Sequence, residues 1–349
     1  MVETIPDFTP VNLITGFLGS GKTTLLQRLL ADPRLSDCAV LINEFGEVGL
    51  DHHLLERIDE TMVLLQSGCL CCTIRGELSD AIKDLHGRRA RGEIPAFQRL
   101  VIESTGLADP FPILSTLHSD PVLKHHFRPG NVIATVDAVN AMRQLDRQEE
   151  CLKQIAVADR LVLTKTDIAE PGEVARLLAR LRKINPAAPL WRGAEEPVPV
   201  AALLDQDDAL NSHAFAWEDH AIAVHSHDRN RHDGGIHAFA LLFDRPLDWT
   251  MFGIWLTMLL NRHGTQVLRV KAILNVAGTD APVAVHGVQH LVHPPTHMKA
   301  WPDSERRSRI VFIVKDIDRA MIERSLLAFV GLAEERQPAN GTHTTEVTA

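Results

Sequence analysis

Three things are scarce in this sequence, and each scarcity removes a class of protein. Long apolar runs are missing: the most apolar late stretch, Met251 to Leu260, is ten residues long, which suits a core helix and not a membrane span. Cysteine is sparse, five residues in 349, so no disulfide framework organises the chain. Basic charge is short, with 36 Lys and Arg against 45 Asp and Glu and a net charge of −9, which argues against a general binder of nucleic acid or of an anionic membrane. Met1 to Asp7 has neither a basic region nor an apolar stretch, so no secretory leader is expected and the expected compartment is cytoplasmic. Tyrosine is absent, while histidine reaches 18. What remains is ordinary globular composition, 45% apolar and 23% charged, which excludes disordered and collagen-like chains. A chain of 349 residues suggests two domains and can bury a large core without staples.

From Val11 to about Leu190, short apolar runs alternate with helical patterns. Val11–Thr15, Ala39–Asn43, Met62–Leu65, Arg99–Glu103, Val132–Asp137 and Arg160–Thr164 read as buried strands, rich in Val, Ile and Leu and bounded by polar residues or glycine. Helices are expected between them over Thr23–Leu30, Thr73–Arg88, Phe111–His118, Cys151–Val157 and Gly172–Ile184. This is the α/β pattern of a doubly wound, mostly parallel sheet. The texture changes near Ala201: residues 206–236 are rich in histidine and read as a mobile linker. A smaller α+β unit is expected over 237–333, with strands His237–Phe243, Val267–Leu274, Val283–Val285, Val288–Val292 and Ile310–Val314 and helices Trp249–Arg262 and Arg319–Val330. The polar tail 334–349 reads as disordered. The first domain is thus expected to span 8–205.

The strongest chemical signal is Gly16-Phe17-Leu18-Gly19-Ser20-Gly21-Lys22-Thr23, a full phosphate-loop pattern between a strand and a helix. Gly16, Gly19, Ser20 and Gly21 let backbone N–H groups curl around phosphate oxygens, and the helix that starts with Lys22, Thr23 and Thr24 adds its positive end. Lys22 is expected on the β and γ phosphates and Thr23 on Mg²⁺. In Leu100 to Gly106 a strand ends in Glu103, which can face the magnesium, and Gly106 can offer its N–H to the γ-phosphate. Lys22, Thr23 and Glu103 are the candidate catalytic residues. Thr164-Lys165-Thr166-Asp167 approximates the Asn-Lys-x-Asp guanine reader, with Thr164 in place of Asn. Asp167 can accept from guanine N1–H and the 2-amino group, which adenine lacks, so GTP is the expected nucleotide. A charged strand-to-helix loop is the plainer reading of those four residues.

Gly68-Cys69-Leu70-Cys71-Cys72-Thr73 brings three thiols together ahead of a helix. They cannot all pair with one another without strain, and a helix N-terminus favours the thiolate that binds metal. Thiolates suit Zn²⁺ or Cu(I), and zinc wants a fourth ligand. Glu47 and Glu44 are candidates, and His52 and His53 lie near in sequence. Buried structural cysteines are the alternative; a redox pair is disfavoured because Cys71 interrupts Cys69 and Cys72. The histidines of 213–237 suit either metal collection or a solvated linker, and His286, His290, His293 and His297 are weaker metal candidates.

GFLGSGKTTLL, NEFGEVGLD, GCLCC, ESTGLADP and TKTD, in that order, resemble the CobW-like family of metal-chaperone GTPases, within the SIMIBI class of P-loop proteins. In the second unit Leu268-Arg269-Val270-Lys271-Ala272 resembles the family's Arg-x-Lys-Gly strand, with Ala272 where glycine is usual. The resemblance implies GTP hydrolysis with Mg²⁺, coupled to delivery of a transition metal, most often zinc (Zn²⁺), to a client metalloprotein, with Cys69, Cys71 and Cys72 as the metal centre. Members serving cobalamin synthesis or nitrile hydratase maturation cannot be separated from the others in one sequence. Metal storage or sensing with a structural nucleotide, and an ATP-dependent kinase-like enzyme, are the competing functions. No nucleic-acid or membrane partner is expected, and the oligomeric state stays open, a homo-oligomer included.

Overall fold

The computed structural model describes residues 8–43, 62–65, 74–193, 198–205 and 235–336. Among these, seven strands form the first sheet: β1 (Thr9–Gly16), β2 (Cys38–Asn43), β3 (Met62–Leu65), β4 (Arg99–Glu103), β5 (Phe127–Asp137), β6 (Arg160–Thr164) and β7 (Leu190–Arg192). Their order is β3-β2-β4-β1-β5-β6-β7, and every neighbouring pair is parallel. The helices that cross between them are α1 (Lys22–Leu30), α2 (Ile74–Ala90), α3 (Pro110–Ser119), α4 (Leu123–His126), α5 (Ala141–Arg147), α6 (Glu149–Val157), α7 (Pro171–Ile184) and α8 (Val200–Leu204). Because successive strand residues point to opposite faces, Leu100 and Ile102 enter one apolar cluster while Val101 enters the other. Leu25, Leu26 and Leu29 of α1 cover the second face, and Leu78, Ile82 and Leu85 of α2 cover the first. Burial on both faces is why these strands are near-continuous Val, Ile and Leu.

The second unit holds β8 (Ile236–Phe243), α9 (Trp249–His263), β9 (Val267–Leu274), β10 (Val283–Val288), β11 (Leu291–Val292), β12 (Thr296–His297), β13 (Ser308–Lys315) and α10 (Arg319–Arg336). The sheet runs β11-β10-β9-β13-β8, with β12 also on β10, and all of its pairs are antiparallel. Its core stacks Phe239 on Phe312 at 5.5 Å between centroids, with Trp255 edge-on to Phe312 at 6.2 Å. The fold class read from the sequence holds for both units.

Some boundaries differ from the sequence reading. The separate strands expected at Val283–Val285 and Val288–Val292 are one strand through Val288, because His286 and Gly287 stay in the ladder opposite Lys271 and Val270. The chain turns only at Gln289, whose φ is +50°. The last helix continues to Arg336, beyond Glu334, and residues 337–349 lie outside the described residues, as do 206–234 of the histidine-rich stretch. Elements α4, α5, α8 and β7 have seven residues or fewer, too short for a hydrophobic period to reveal them.

The two units share a core. Ile236, Leu268, Val288 and Ile313 of the second belong to the same apolar cluster as α6 and α7 of the first. Along β9, period-two alternation sends Val270 and Ala272 into the second unit's own core, while Arg269 and Lys271 reach Asp159, at the start of β6. The Lys271 Nζ to Asp159 Oδ1 distance is 3.2 Å, and Val132 donates its backbone N–H to Asp159 Oδ2 at 3.0 Å.

Candidate functional site

The phosphate loop leaves β1 at the carboxyl edge of the sheet, between the ends of β4 and β5. Three of its residues need backbone that only glycine adopts readily: φ is +137° at Gly16, +70° at Gly19 and +90° at Gly21. Gly16 has a steric reason as well, since a Cβ there would sit 2.4 Å from Thr135 Oγ1. Ser20 is buried and shares a 2.6 Å hydrogen bond with Thr135, tying the loop to β5. Lys22 Nζ donates to the Phe17 carbonyl at 3.4 Å, which bends the ammonium back over the loop it follows. Thr24 is exposed one residue beyond Thr23.

Thr23 Oγ1 donates to Glu103 Oε1 at 2.7 Å. A hydroxyl and a carboxylate side by side, at the mouth of a phosphate loop, are the hard oxygen donors that magnesium takes, so the residues present fit Mg²⁺. The β4 end is well fixed: Ser104 donates its N–H to the Ile14 carbonyl at 2.9 Å and its hydroxyl to Thr15 at 3.0 Å. Gly106 then passes so close to the phosphate loop that a Cβ would lie 2.6 Å from the Leu18 nitrogen. Only glycine fits there without moving backbone.

On the other side, Thr164 donates to the Ser20 carbonyl at 2.8 Å, so the residue replacing Asn in the base-reader pattern braces the phosphate loop. Lys165 adopts φ of +58° and places Nζ 2.8 Å from Asp137 Oδ2. Burial would raise the Asp137 pKa, but hydrogen bonds from Asn140 and Lys165 outweigh it and hold the carboxyl below its ordinary value. Asp167 is exposed, with its carboxylate open to solvent.

The structure thus gathers Gly16, Gly19, Ser20, Gly21, Lys22, Thr23, Glu103, Gly106, Thr164 and Lys165 along adjoining strand ends. Cys69, Cys71, Cys72, Glu47, Glu44, His52 and His53 lie outside the described residues, as do the histidines from 213 to 232. The later histidines do not assemble. His286 and His293 are half-buried on β10 and beyond β11, His290 packs 6.2 Å from the Phe111 ring, and His297 is exposed. Among the described residues no three His, Cys, Asp or Glu side chains come together as a metal site. Sequence reasoning missed Thr135, Asp137 and Gln154. Asp137 carried a signal, an acid closing a buried strand beside the nucleotide edge, as Glu103 does; the other two carried none.

A parallel doubly wound sheet with this phosphate loop, an acid on the adjoining strand end and the Thr164-Lys165-Thr166-Asp167 turn two strands away is the arrangement of a P-loop protein of the GTPase type. The chain belongs to the CobW family: the CobW/HypB/UreG nucleotide-binding domain matches residues 10–192, and the cobalamin synthesis protein cobW C-terminal domain matches 236–330. It is 35% identical over 324 residues to the zinc chaperone YjiA of Escherichia coli, covering 92% of this chain and 98% of that one. It is 29% identical over 350 residues to the zinc chaperone CobW of Pseudomonas aeruginosa, covering 91% and 90% of the two chains. Among solved structures, the Zn(II)-bound YjiA GTPase from E. coli superposes with a TM-score of 0.67 at 30% identity, over 93% of this chain and 99% of that one. The same protein has been solved with zinc as a triple mutant in which a glutamate and two cysteines are replaced by alanine, also at a TM-score of 0.67. No helix among the described residues is long and apolar enough to cross a membrane.

Proposed function

We propose that this protein is a Mg²⁺-dependent GTPase that binds zinc at Cys69, Cys71 and Cys72, with Glu47 as fourth ligand, and hands it to a client metalloprotein. The observation that carries this is strand order. β3, β2, β4 and β1 are consecutive and parallel, so the cysteine segment, the Glu44–Leu50 segment, the Glu103 strand and the phosphate loop are entered from neighbouring strand ends. Asn43 and Leu65, the last residues of β2 and β3, are register partners. The relatives are named as zinc chaperones, and a neighbour solved with zinc is 30% identical to this chain; because its triple mutant also holds zinc, the cysteine site is proposed here from the thiolate chemistry of this sequence.

Each residue has a role. Backbone N–H groups of 16–21 and the Lys22 ammonium hold the β and γ phosphates. Thr23 and Glu103 hold the magnesium, which when bound neutralises charge on the transferring phosphoryl group. The Gly106 N–H faces the γ-phosphate, and Asp167 selects guanine while Lys165, set by Asp137, lies along the base. Zinc is cargo: nucleotide state alters zinc affinity through the residues that follow β2 and β3 in the chain. The division into a GTPase domain at 8–205, a linker at 206–236 and a second domain at 237–333 fits that scheme.

Zinc affinity with and without a non-hydrolysable GTP analogue is the test, in wild type, Cys71→Ser and Cys72→Ser. The nucleotide should shift wild-type affinity, and by linkage zinc should shift nucleotide affinity by the same factor. Either substitution should weaken zinc by orders of magnitude, because an anionic sulfur outcompetes a neutral imidazole. Tight, one-equivalent zinc unchanged in both variants would move the site elsewhere, with His213 to His237 the first suspect. Affinity and turnover that ignore each other would mean storage instead.

A further inference from the structure

The Gly106 loop does not hold its own shape. Ala108 donates its N–H to the Thr105 carbonyl at 3.2 Å, which fixes the peptide plane carrying the Gly106 N–H. The next peptide is fixed from outside: Gln154 of α6 donates Nε2 to the Gly106 carbonyl at 3.1 Å and to the Ala108 carbonyl at 3.0 Å. Both partners are acceptors only, so the amide orientation is not ambiguous. Gln154 is 1% exposed, and its Oε1 has no partner among the described residues. A side chain that leaves one polar atom unmet while its amide meets two carbonyls is placed for those carbonyls, which would lose this donor if an apolar residue filled the space.

The helix that carries Gln154 is itself held at both ends by the second domain. At its start, Lys315 Nζ lies 2.8 Å from Glu149 Oε1. At its end, Arg269 donates to the Val157 carbonyl at 2.9 Å while also pairing with Asp159. Between them Lys153 lies 3.8 Å from Asp109, just past the loop. The γ-phosphate loop is therefore fastened through Gln154 to a helix that the second domain keeps in place.

We propose that Gln154 is a positioning residue for GTP hydrolysis: it fixes the Gly106–Ala108 loop against the phosphate loop, on a helix braced by the second domain. It touches neither nucleotide nor metal, and acts through the Gly106 backbone. This rests on the reading that Gly106 faces the γ-phosphate, and the experiment separates the two. The measurements are kcat and KM for GTP, with affinities for GDP and a non-hydrolysable GTP analogue, in the full-length chain. Gln154→Met keeps the volume and removes both donors; Gln154→Asn, which withdraws the amide by one methylene, serves if the Met variant does not fold. Losing two neutral hydrogen bonds to the loop should lower kcat by about tenfold and weaken the analogue, with GDP affinity unchanged within about twofold. GDP and analogue weakened alike, or kcat unchanged in a folded variant, would overturn the proposal. The Gly106 amide resonance of the isotope-labelled wild-type chain is the control on the underlying reading. If it is the same with GDP and with the analogue bound, the γ-phosphate assignment itself fails; if it differs while Gln154→Met treats the two nucleotides alike, only the role of Gln154 fails.

Discussion

Replacing Asp159 by Asn tests the physical basis of the domain contact. The carboxylate meets two cations from β9, Arg269 and Lys271, while its other oxygen accepts the Val132 N–H. Burial would raise its pKa, but the two cations outweigh that cost and hold it well below the usual carboxylate range. Asparagine keeps the shape and an oxygen for Val132 but removes the charge, so Arg269 and Lys271, 3% exposed each, are left without a counter-ion. Breaking a buried pair in this way costs about 3–5 kcal/mol. Urea unfolding should therefore show a large loss of midpoint. Of the five tryptophans, Trp249, Trp255 and Trp301 lie in the second unit and Trp191 on β7 of the first, so tryptophan fluorescence weights the second unit more than the far-ultraviolet signal does, and the two curves should separate. Asp159→Asn combined with Arg269→Met and Lys271→Met should recover much of the loss, since no buried cation is then left unpaired and the Asn oxygen still accepts the Val132 N–H. An Asp159→Asn variant within about 1 kcal/mol of wild type, with superimposed curves, would refute the reasoning.

Lys22→Ala should abolish productive triphosphate binding, because the β and γ phosphates lose their fixed cation; unchanged GTP turnover would remove the phosphate-loop assignment. Asp167→Ala should reduce the preference for GTP over ATP by about 1.5–3 kcal/mol, the value of a hydrogen bond to a charged group, measured by competition calorimetry; equal wild-type affinities would already defeat the guanine reading. Acid should loosen the fold through two histidines: burial and the nearby Lys271 and Arg269 charges push His286 down to about 3, and burial with Arg269 pushes His293 down to about 4. Unfolded imidazoles take up protons first, near pH 6.5, so stability should fall as pH drops from about 6.5 toward 4, by roughly 2 kcal/mol per histidine at pH 5. A urea midpoint that is flat between pH 7 and 5 would contradict this.

What the sequence made legible was local, and what it hid was not. Strands β4 and β6 have the bounds read from the sequence because burial on both faces forces an unbroken apolar run with polar ends. The phosphate loop was legible because three left-handed backbone positions demand glycine at fixed spacing. His286-Gly287 was misread because a polar pair looks like a break unless the facing strand is known; Lys271 and Val270 supply that strand. Arg269 and Lys271 show the same limit more sharply. Nothing within the strand shows how two cations can be buried there, because the carboxylate they meet comes from 110 residues away along the chain. Thr164 departs from the guanine pattern in sequence, and only the position of the Ser20 carbonyl shows that its hydroxyl braces the phosphate loop. Gln154 is the same case, a residue whose pattern is that of a helix and whose partners belong to a loop of another strand. Such pairings are set by topology, not by period or spacing. On the proposed role of Gln154 the second domain takes part in the nucleotide machinery: its cations hold the end of α6, and α6 holds the Gly106–Ala108 loop beside the phosphate loop.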